Sequence, residues 1–294
     1  MNMKYALFLG CTAPTKARNY ELSTRRIAEV MGIELIDLPG FECCGFPIKS
    51  AHYESYLLMA ARNLMAAEEE GLNICVLCSA CAGTLVEVNR HLAQDDDVRK
   101  KVLGKLGKTV DQFGFAQNIQ VKHMIRILYE DVGLEKIDAK IKKKLSNLSF
   151  APHYGCHYLK PSKIYGNCED PENPHSLDAL IEVTGAKTVD YQEKEQCCGA
   201  GVLAINESIA LSMANKKLQS VKESGADGIV LMCPFCGAMY DENQKRIETK
   251  FQKLYDMPVL YYPQLLGLAL GIDQSQLGLN MNKVKTEGLL ERIG

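Results

Sequence analysis

Short apolar runs alternate with longer amphipathic stretches along this chain, and the alternation is written twice. Tyr5-Ala6-Leu7-Phe8-Leu9-Gly10-Cys11 pairs with Phe150-Ala151-Pro152-His153-Tyr154-Gly155-Cys156. Each is an apolar run closed by Gly just before a Cys, which predicts a buried strand. Residues 29–37 (EVMGIELID) pair with 182–190 (EVTGAKTVD), each reading as a helix end, a Gly stop and a second strand. Gly71-Leu72-Asn73-Ile74 and Gly225-Ala226-Asp227-Gly228-Ile229 introduce third strands that run into Cys-x-x-Cys. Ile119-Gln120-Val121 and Val259-Leu260-Tyr261 read as fourth strands, each followed by an apolar helix. Residues 51–70 and 206–223 are rich in Ala, Leu, Met and Glu and predict helices between the strands.

Strands alternating with helices predict an α/β chain of two tandem, pseudo-symmetric domains, each a parallel sheet flanked by helices. The expected halves are residues 1–145 and 146–294. Residues 133–149 predict a Lys-rich helical link between them. The first half carries an insertion at 93–116, and the second a loop at 166–174 (GNCEDPENP). In parallel sheets ligands collect at the carboxyl ends of strands. Cys11, Cys78, Cys156 and Cys233 all fall there.

Composition narrows the possibilities. The chain has 294 residues, 47% of them hydrophobic, which suits two packed domains. Its net charge of −2 gives no basic excess for nucleic acid. Lys142-Lys143-Lys144 reads as a solvated helix end, and Asp95-Asp96-Asp97 as a loop or helix start. The longest apolar run, 265–272 (LLGLALGI), is too short to span a membrane. Met1-Asn2-Met3-Lys4-Tyr5 does not begin a secretory leader. The expectation is a soluble, cytoplasmic protein whose membrane association, if any, comes through a partner.

The twelve cysteines change the picture most. Ten of them form one arrangement twice over. The first set is Cys11, Cys43-Cys44 and Cys78-Ser79-Ala80-Cys81; the second is Cys156, Cys197-Cys198 and Cys233-Pro234-Phe235-Cys236. Five soft thiolates converging on one place point to an iron–sulfur cluster more than to one zinc ion. Adjacent cysteines diverge, so a Cys-Cys pair suits a polynuclear centre better than a single tetrahedral ion. Zinc remains a rival. So does thioredoxin-like chemistry at Cys233-Pro234-Phe235-Cys236, although that would leave Cys156, Cys197 and Cys198 without a role. The repeat aligns Cys75 with Val230, as a small buried apolar residue. Cys168 has no counterpart and reads as a free thiol.

The pattern Cys, then Cys43-Cys44-Gly45 or Cys197-Cys198-Gly199, then Cys-x-x-Cys resembles the CCG domain. Residues 153–161 (HYGCHYLKP), 197–201 (CCGAG), 230–236 (VLMCPFC) and 264–269 (QLLGLA) are similar in detail to the B-subunit family of heterodisulfide reductases. The resemblance covers essentially the whole chain. It implies two noncubane [4Fe–4S] clusters, one per five-cysteine set, facing each other across the domain interface. It implies reduction of the coenzyme M–coenzyme B disulfide to two thiols, each cluster supplying one electron. It also implies two partners, the iron–sulfur C and flavin-bearing A subunits of the same reductase, with hydrogenase or formate dehydrogenase in a wider complex. Related CCG proteins act with quinones, lactate or other thiols, which leaves an electron-transfer role as the alternative.

Proton donors and substrate contacts are read from position. His153 and His157 flank Cys156 and are candidate proton donors, with hydrogen bonding to sulfur or backbone as the alternative role. Their first-half counterparts, Phe8 and Thr12, make any such role asymmetric. Lys49, Lys160 and Lys163 follow cysteines of the sets and are candidate partners for the anionic groups of the family's substrate. Gly45, Gly199 and Gly201 are expected to allow close backbone approach to a cluster.

Overall fold

The computed structural model describes residues 3–166 and 168–293. Among the described residues, eight strands form two four-stranded sheets. The first contains β1 (Met3–Phe8), β2 (Ile33–Ile36), β3 (Asn73–Val76) and β4 (Val121–His123), in the order β2-β1-β3-β4. The second contains β5 (Ser149–His153), β6 (Lys187–Thr188), β7 (Gly228–Leu231) and β8 (Val259–Tyr261), in the order β6-β5-β7-β8. All six pairings are parallel. The two halves therefore repeat one topology, as the doubled pattern requires. The central strands are buried on both faces, which is why they read as continuous apolar runs.

Local chemistry sets the helix ends. The helix Arg18–Met31 stops at Gly32, whose φ of 73° lets its N–H reach back to Ala28 and Glu29. Tyr53–Glu69 and Glu207–Glu223 start at matched caps, His52 and Asn206, whose side chains accept from the N–H of Ser55 and Ile209. Asp95 caps the helix Asp96–Lys105, as its acidic run predicts.

Three readings need correction. β4 begins at Val121, two residues later than expected: the Gln120 carbonyl joins the ladder at the Ile74 N–H, but its own N–H goes to the Asn73 side chain in place of a strand carbonyl. The link between halves is helical only over Leu134–Asp138. Beyond it, Lys142 and Lys143 donate their N–H groups to Ala269 O and Leu145 donates to Thr184 O. These carbonyls end two second-half helices, so the segment caps them in place of forming its own helix. Cations beside helix carboxyl ends are favourable. The lysine run is thus a cap for neighbouring helices and not a helix end itself.

The halves share one hydrophobic core. Tyr20 stacks on Tyr261 at 4.4 Å between centroids, and its hydroxyl donates to Met232 O at 2.9 Å. His123 Nε2 lies 3.1 Å from the same carbonyl. Arg126 holds its guanidinium over the rings of Tyr158 and Tyr165, 4.8 and 4.5 Å away. Tyr20→Phe is expected to cost about 1 kcal/mol, since Met232 O keeps His123 as a partner. A denaturant titration checks this, and a loss of several kcal/mol would mean the hydroxyl alone holds the halves together. Among the described residues, no helix is long and apolar enough to cross a membrane.

Candidate metal centre

Each Cys-x-x-Cys begins where a strand ends. Cys78 and Cys233 are extended residues (ψ 125° and 127°) that open helices, so their sulfurs meet the amides of the first turn. The N–H groups of Cys81 and Cys236 donate to the sulfurs of Cys78 and Cys233. Each Cys-Cys pair turns on a left-handed glycine, Gly45 at φ 89° and Gly199 at φ 84°. The Gly199 N–H lies 3.4 Å from Cys197 Sγ and the Ala200 N–H 3.5 Å from Cys198 Sγ. A Cβ on Gly10 would sit 3.0 Å from Cys81 Sγ, so the backbone before Cys11 passes directly against a thiol.

Besides giving their N–H groups to Cys43 and Cys197, Gly45 and Gly199 pass close to helices. A Cβ on Gly199 would lie 2.8 Å from Ala210 O, and one on Gly45 3.2 Å from Tyr56 O. Gly201 faces open space.

All ten expected cysteines are brought into two touching groups. Cys11 contacts Cys43. Cys44 contacts Cys81, which contacts Cys78. Cys78 Sγ lies 3.9 Å from Cys233 Sγ across the interface. From there Cys233 contacts Cys236, Cys236 contacts Cys198, and Cys198 contacts Cys197. Cys197 Sγ lies 3.9 Å from Cys156 Sγ. In each half the Cys-x-x-Cys and the second of the paired cysteines are buried, while the other two reach toward solvent. Around the second set lies a cavity of about 60 Å³, to which the first half contributes Phe46, Ser79 and Ala80.

Crowding splits the acidities. Hydrogen bonding from Cys81 draws Cys44 down to about 7, against its burial. Hydrogen bonds from Cys156, then Cys198, hold Cys197 low, and those from Cys236 and Cys78 hold Cys233 low. Their partners Cys78, Cys81, Cys156, Cys198 and Cys236 are pushed up, first by giving those hydrogen bonds and then by burial. Close-packed thiols cannot all ionise alone. A cationic centre among them removes that limit, because metal-bound thiols are deprotonated. The Ser79 hydroxyl is buried at the same place without a hydrogen-bond partner. The residues therefore fit an iron–sulfur group.

His157 lines the cavity, with Nδ1 3.2 Å from Cys156 Sγ and its ring edge-on to Phe46. Burial lowers its pKa. His153 is fully enclosed behind Cys236, with Nε2 3.2 Å from that sulfur. Burial, then the charge of Lys217, pushes its pKa well down. Its ligating atom and those of Cys198 and Cys236 lie within 4.8 Å of one another. Lys49 pairs with Glu87 at 2.6 Å and lies over Tyr56, while Lys160 and Lys163 are exposed. Among the described residues, none of these lysines lines the cavity.

Two residues at the site escaped sequence reasoning. Ser79 gives its backbone N–H to Cys233 from the opposite half. Lys217 is buried, its Nζ 3.0 Å from His153 Nδ1, 3.0 Å from Lys194 O and 2.8 Å from Gln196 O. The signal for it was a lysine on the otherwise apolar stripe of Ala210, Ala214, Leu218 and Val221.

Cys75 and Cys168 stand apart. Cys75 is buried on β3 against Met124 Sδ at 3.7 Å, and burial raises its pKa. Cys168 is exposed, 3.0 Å from Tyr165 O, at the edge of a separate groove. Cys168→Ala and Cys75→Ala are expected to leave the iron content unchanged. Iron lost with either substitution would add that residue to the ligands.

The cysteine-rich domain described as CCG matches residues 5–86 and 150–241. The chain is 36% identical over 297 residues to the B subunit of the ferredoxin/F420H2-dependent CoB-CoM heterodisulfide reductase of Methanosarcina acetivorans, covering 99% of this chain and 97% of that protein. It is 32% identical to the 8-methylmenaquinol:fumarate reductase membrane anchor subunit of Wolinella succinogenes, covering 97% of this chain and 98% of that one. A solved structure of a hypothetical protein from Helicobacter pylori aligns with a TM-score of 0.77 at 18% identity. It covers 97% of this chain, which spans about half (52%) of that one, and the likeness is one of fold.

Proposed function

The chain belongs to the CCG-domain family of heterodisulfide reductase B subunits, and from that premise we propose that it is the disulfide-reducing member of such a complex. The observation that carries the reading is the contact between two complete five-thiol sets at Cys78 and Cys233, 3.9 Å apart. A relay serving a distant site has no need to place two such sets against each other. Cys11, Cys43, Cys44, Cys78 and Cys81 would hold one noncubane [4Fe–4S] cluster, and Cys156, Cys197, Cys198, Cys233 and Cys236 the other. When bound, the two groups supply one electron each, at an iron that is also a Lewis acid.

The chain's own residues do the rest. Phe46, Ala80 and Phe235 give the cavity apolar walls that exclude water. The proposed substrate is the coenzyme M–coenzyme B disulfide. Two electrons and two protons break its S–S bond and leave two thiols. His157, in the cavity wall, is the proposed donor of one proton. His153, with both ring nitrogens engaged outside the cavity, acts through Cys236. Lys160 and Lys163 offer free cationic ends for the substrate's anionic groups, and Lys49 does so once it leaves Glu87. The domain boundary falls at 145/146, and the proposed setting is the cytoplasm, where the iron–sulfur C and flavin-bearing A subunits of the reductase deliver electrons. A hydrogenase or formate dehydrogenase would feed the wider complex.

The Wolinella relative favours a second reading, an electron-transfer module working with a quinone or organic acid reductase. Turnover of the heterodisulfide by the isolated, iron-loaded chain with an artificial one-electron reductant separates the two. Cleavage that is lost in Cys198→Ala supports the catalytic reading. A fully loaded chain that leaves the disulfide intact supports the second.

A further inference from the structure

The two thiol sets are alike in their ligands and unlike in what stands behind them. Backbone donors recur at matched positions: Gly45 and Gly199, Phe46 and Ala200, Cys81 and Cys236. One side-chain contact recurs, with Thr12 Oγ1 3.7 Å from Cys11 Sγ and His157 Nδ1 3.2 Å from Cys156 Sγ; the others do not. His153 Nε2 is 3.2 Å from Cys236 Sγ, whereas the matched residue in the first half is Phe8, which has nothing to donate to Cys81. Behind His153 stands Lys217; the matched position on the first-half helix is Asn63, which binds only backbone, at Cys43 O, Met59 O and the Glu42 N–H. The first set has a donor with no counterpart in the second, the Thr84 hydroxyl at Cys44, where the second half has Met239.

The contacts of Lys217 decide the histidine's tautomer. An ammonium has three protons and no lone pair. Lys217 Nζ has three acceptors around it: Lys194 O, Gln196 O and His153 Nδ1. Two are carbonyls, which can only accept. Nδ1 therefore accepts the third proton, and the ring's own proton sits on Nε2, pointing at Cys236 Sγ. A hydrogen bond to a ligating sulfur withdraws electron density and favours the reduced state of the centre it serves.

We propose that Lys217 is a positioning residue that fixes His153 with its proton on Nε2, so that the centre held by the second cysteine set has a higher reduction potential than the first. This rests on the reading that each set holds a cluster. The first electron to enter then resides at equilibrium in the second half. Lys217 contacts no ligand; besides its charge near Cys236 and Cys198, it acts through His153.

The test is a reductive titration of the anaerobically loaded chain, followed by electron paramagnetic resonance, with Cys198→Ala identifying the signal of the first set. Lys217→Met and His153→Phe should each retain iron and sulfide. Each should lower the second midpoint by roughly tenfold in equilibrium constant, about 59 mV for one electron. The first midpoint should stay fixed. The double variant should fall by less than the sum of the two single shifts, because both changes remove the same hydrogen bond. An unchanged second midpoint, or additive shifts in the double variant, overturns the proposal. On the His157→Phe protein, which lacks the imidazole at Cys156, electron–nuclear double resonance with 15N-histidine should find one exchangeable imidazole proton coupled to the second centre. Its absence overturns the proposal even where a Lys217 or His153 variant fails to assemble. A chain without iron and sulfide would instead defeat the cluster reading itself.

Discussion

Cys198→Ala is expected to remove the second centre, sparing the first. Iron should fall from about eight to about four atoms per chain, with sulfide in step. Cys198 is buried and touches both Cys197 and Cys236, so its sulfur is the middle link of the second set. The first set takes all its thiols from residues 11–81 and meets the second only at Cys78 and Cys233. Loss of one centre leaves one electron where disulfide cleavage needs two, so turnover should be abolished and not merely slowed. Iron analysis and the spectrum of the purified variant check the first part, and a heterodisulfide assay the second. A variant that keeps all its iron would remove Cys198 from the ligands.

Gly199→Ala is expected to destabilise the second half strongly. Two costs combine at this position. The residue sits at φ 84°, where an L side chain costs about 1–2 kcal/mol. Its Cβ would also lie 2.8 Å from Ala210 O, a helix backbone atom that cannot rotate away. Overpacking of that kind costs roughly 1–3 kcal/mol more. The turn that Gly199 makes also aims two amides at Cys197 and Cys198. Stability should drop by about 2–5 kcal/mol on these combined figures, and the second centre should load poorly. Gly45→Ala meets Tyr56 O at 3.2 Å and should be milder in the first half. Thermal denaturation of both variants with iron analysis checks the ranking. Equal effects at both positions would mean that the helix contact is not what matters.

The repeat made much of this architecture legible. An apolar run closed by Gly before Cys11 and Cys156 gave β1 and β5 nearly to the residue, because a strand buried on both faces needs no periodicity to be seen. The cysteine spacing found every thiol now in contact, and it set aside Cys75 and Cys168. What it missed depends on neighbours distant in sequence. The segment after Asp138 has the composition of a helix, yet its backbone is claimed by Ala269 and Thr184 of the other half. Lys217 reads as a surface residue until the helix is rotated to show its apolar stripe, and its partners lie on one loop and a strand. Ser79 and Pro234 are matched residues, one with an N–H and one without. Only the contact of the halves shows that the Ser79 N–H serves Cys233. Lys49, which looked free to meet a substrate, is paired with Glu87.

Two five-thiol sets brought together at one interface, each holding a cluster, are the centre of the account. Iron and acid-labile sulfide per chain, measured on protein purified without oxygen, test it most directly. The account predicts about eight iron atoms with matching sulfide, as two four-iron centres require. Zinc without sulfide, or about four iron atoms, would contradict it.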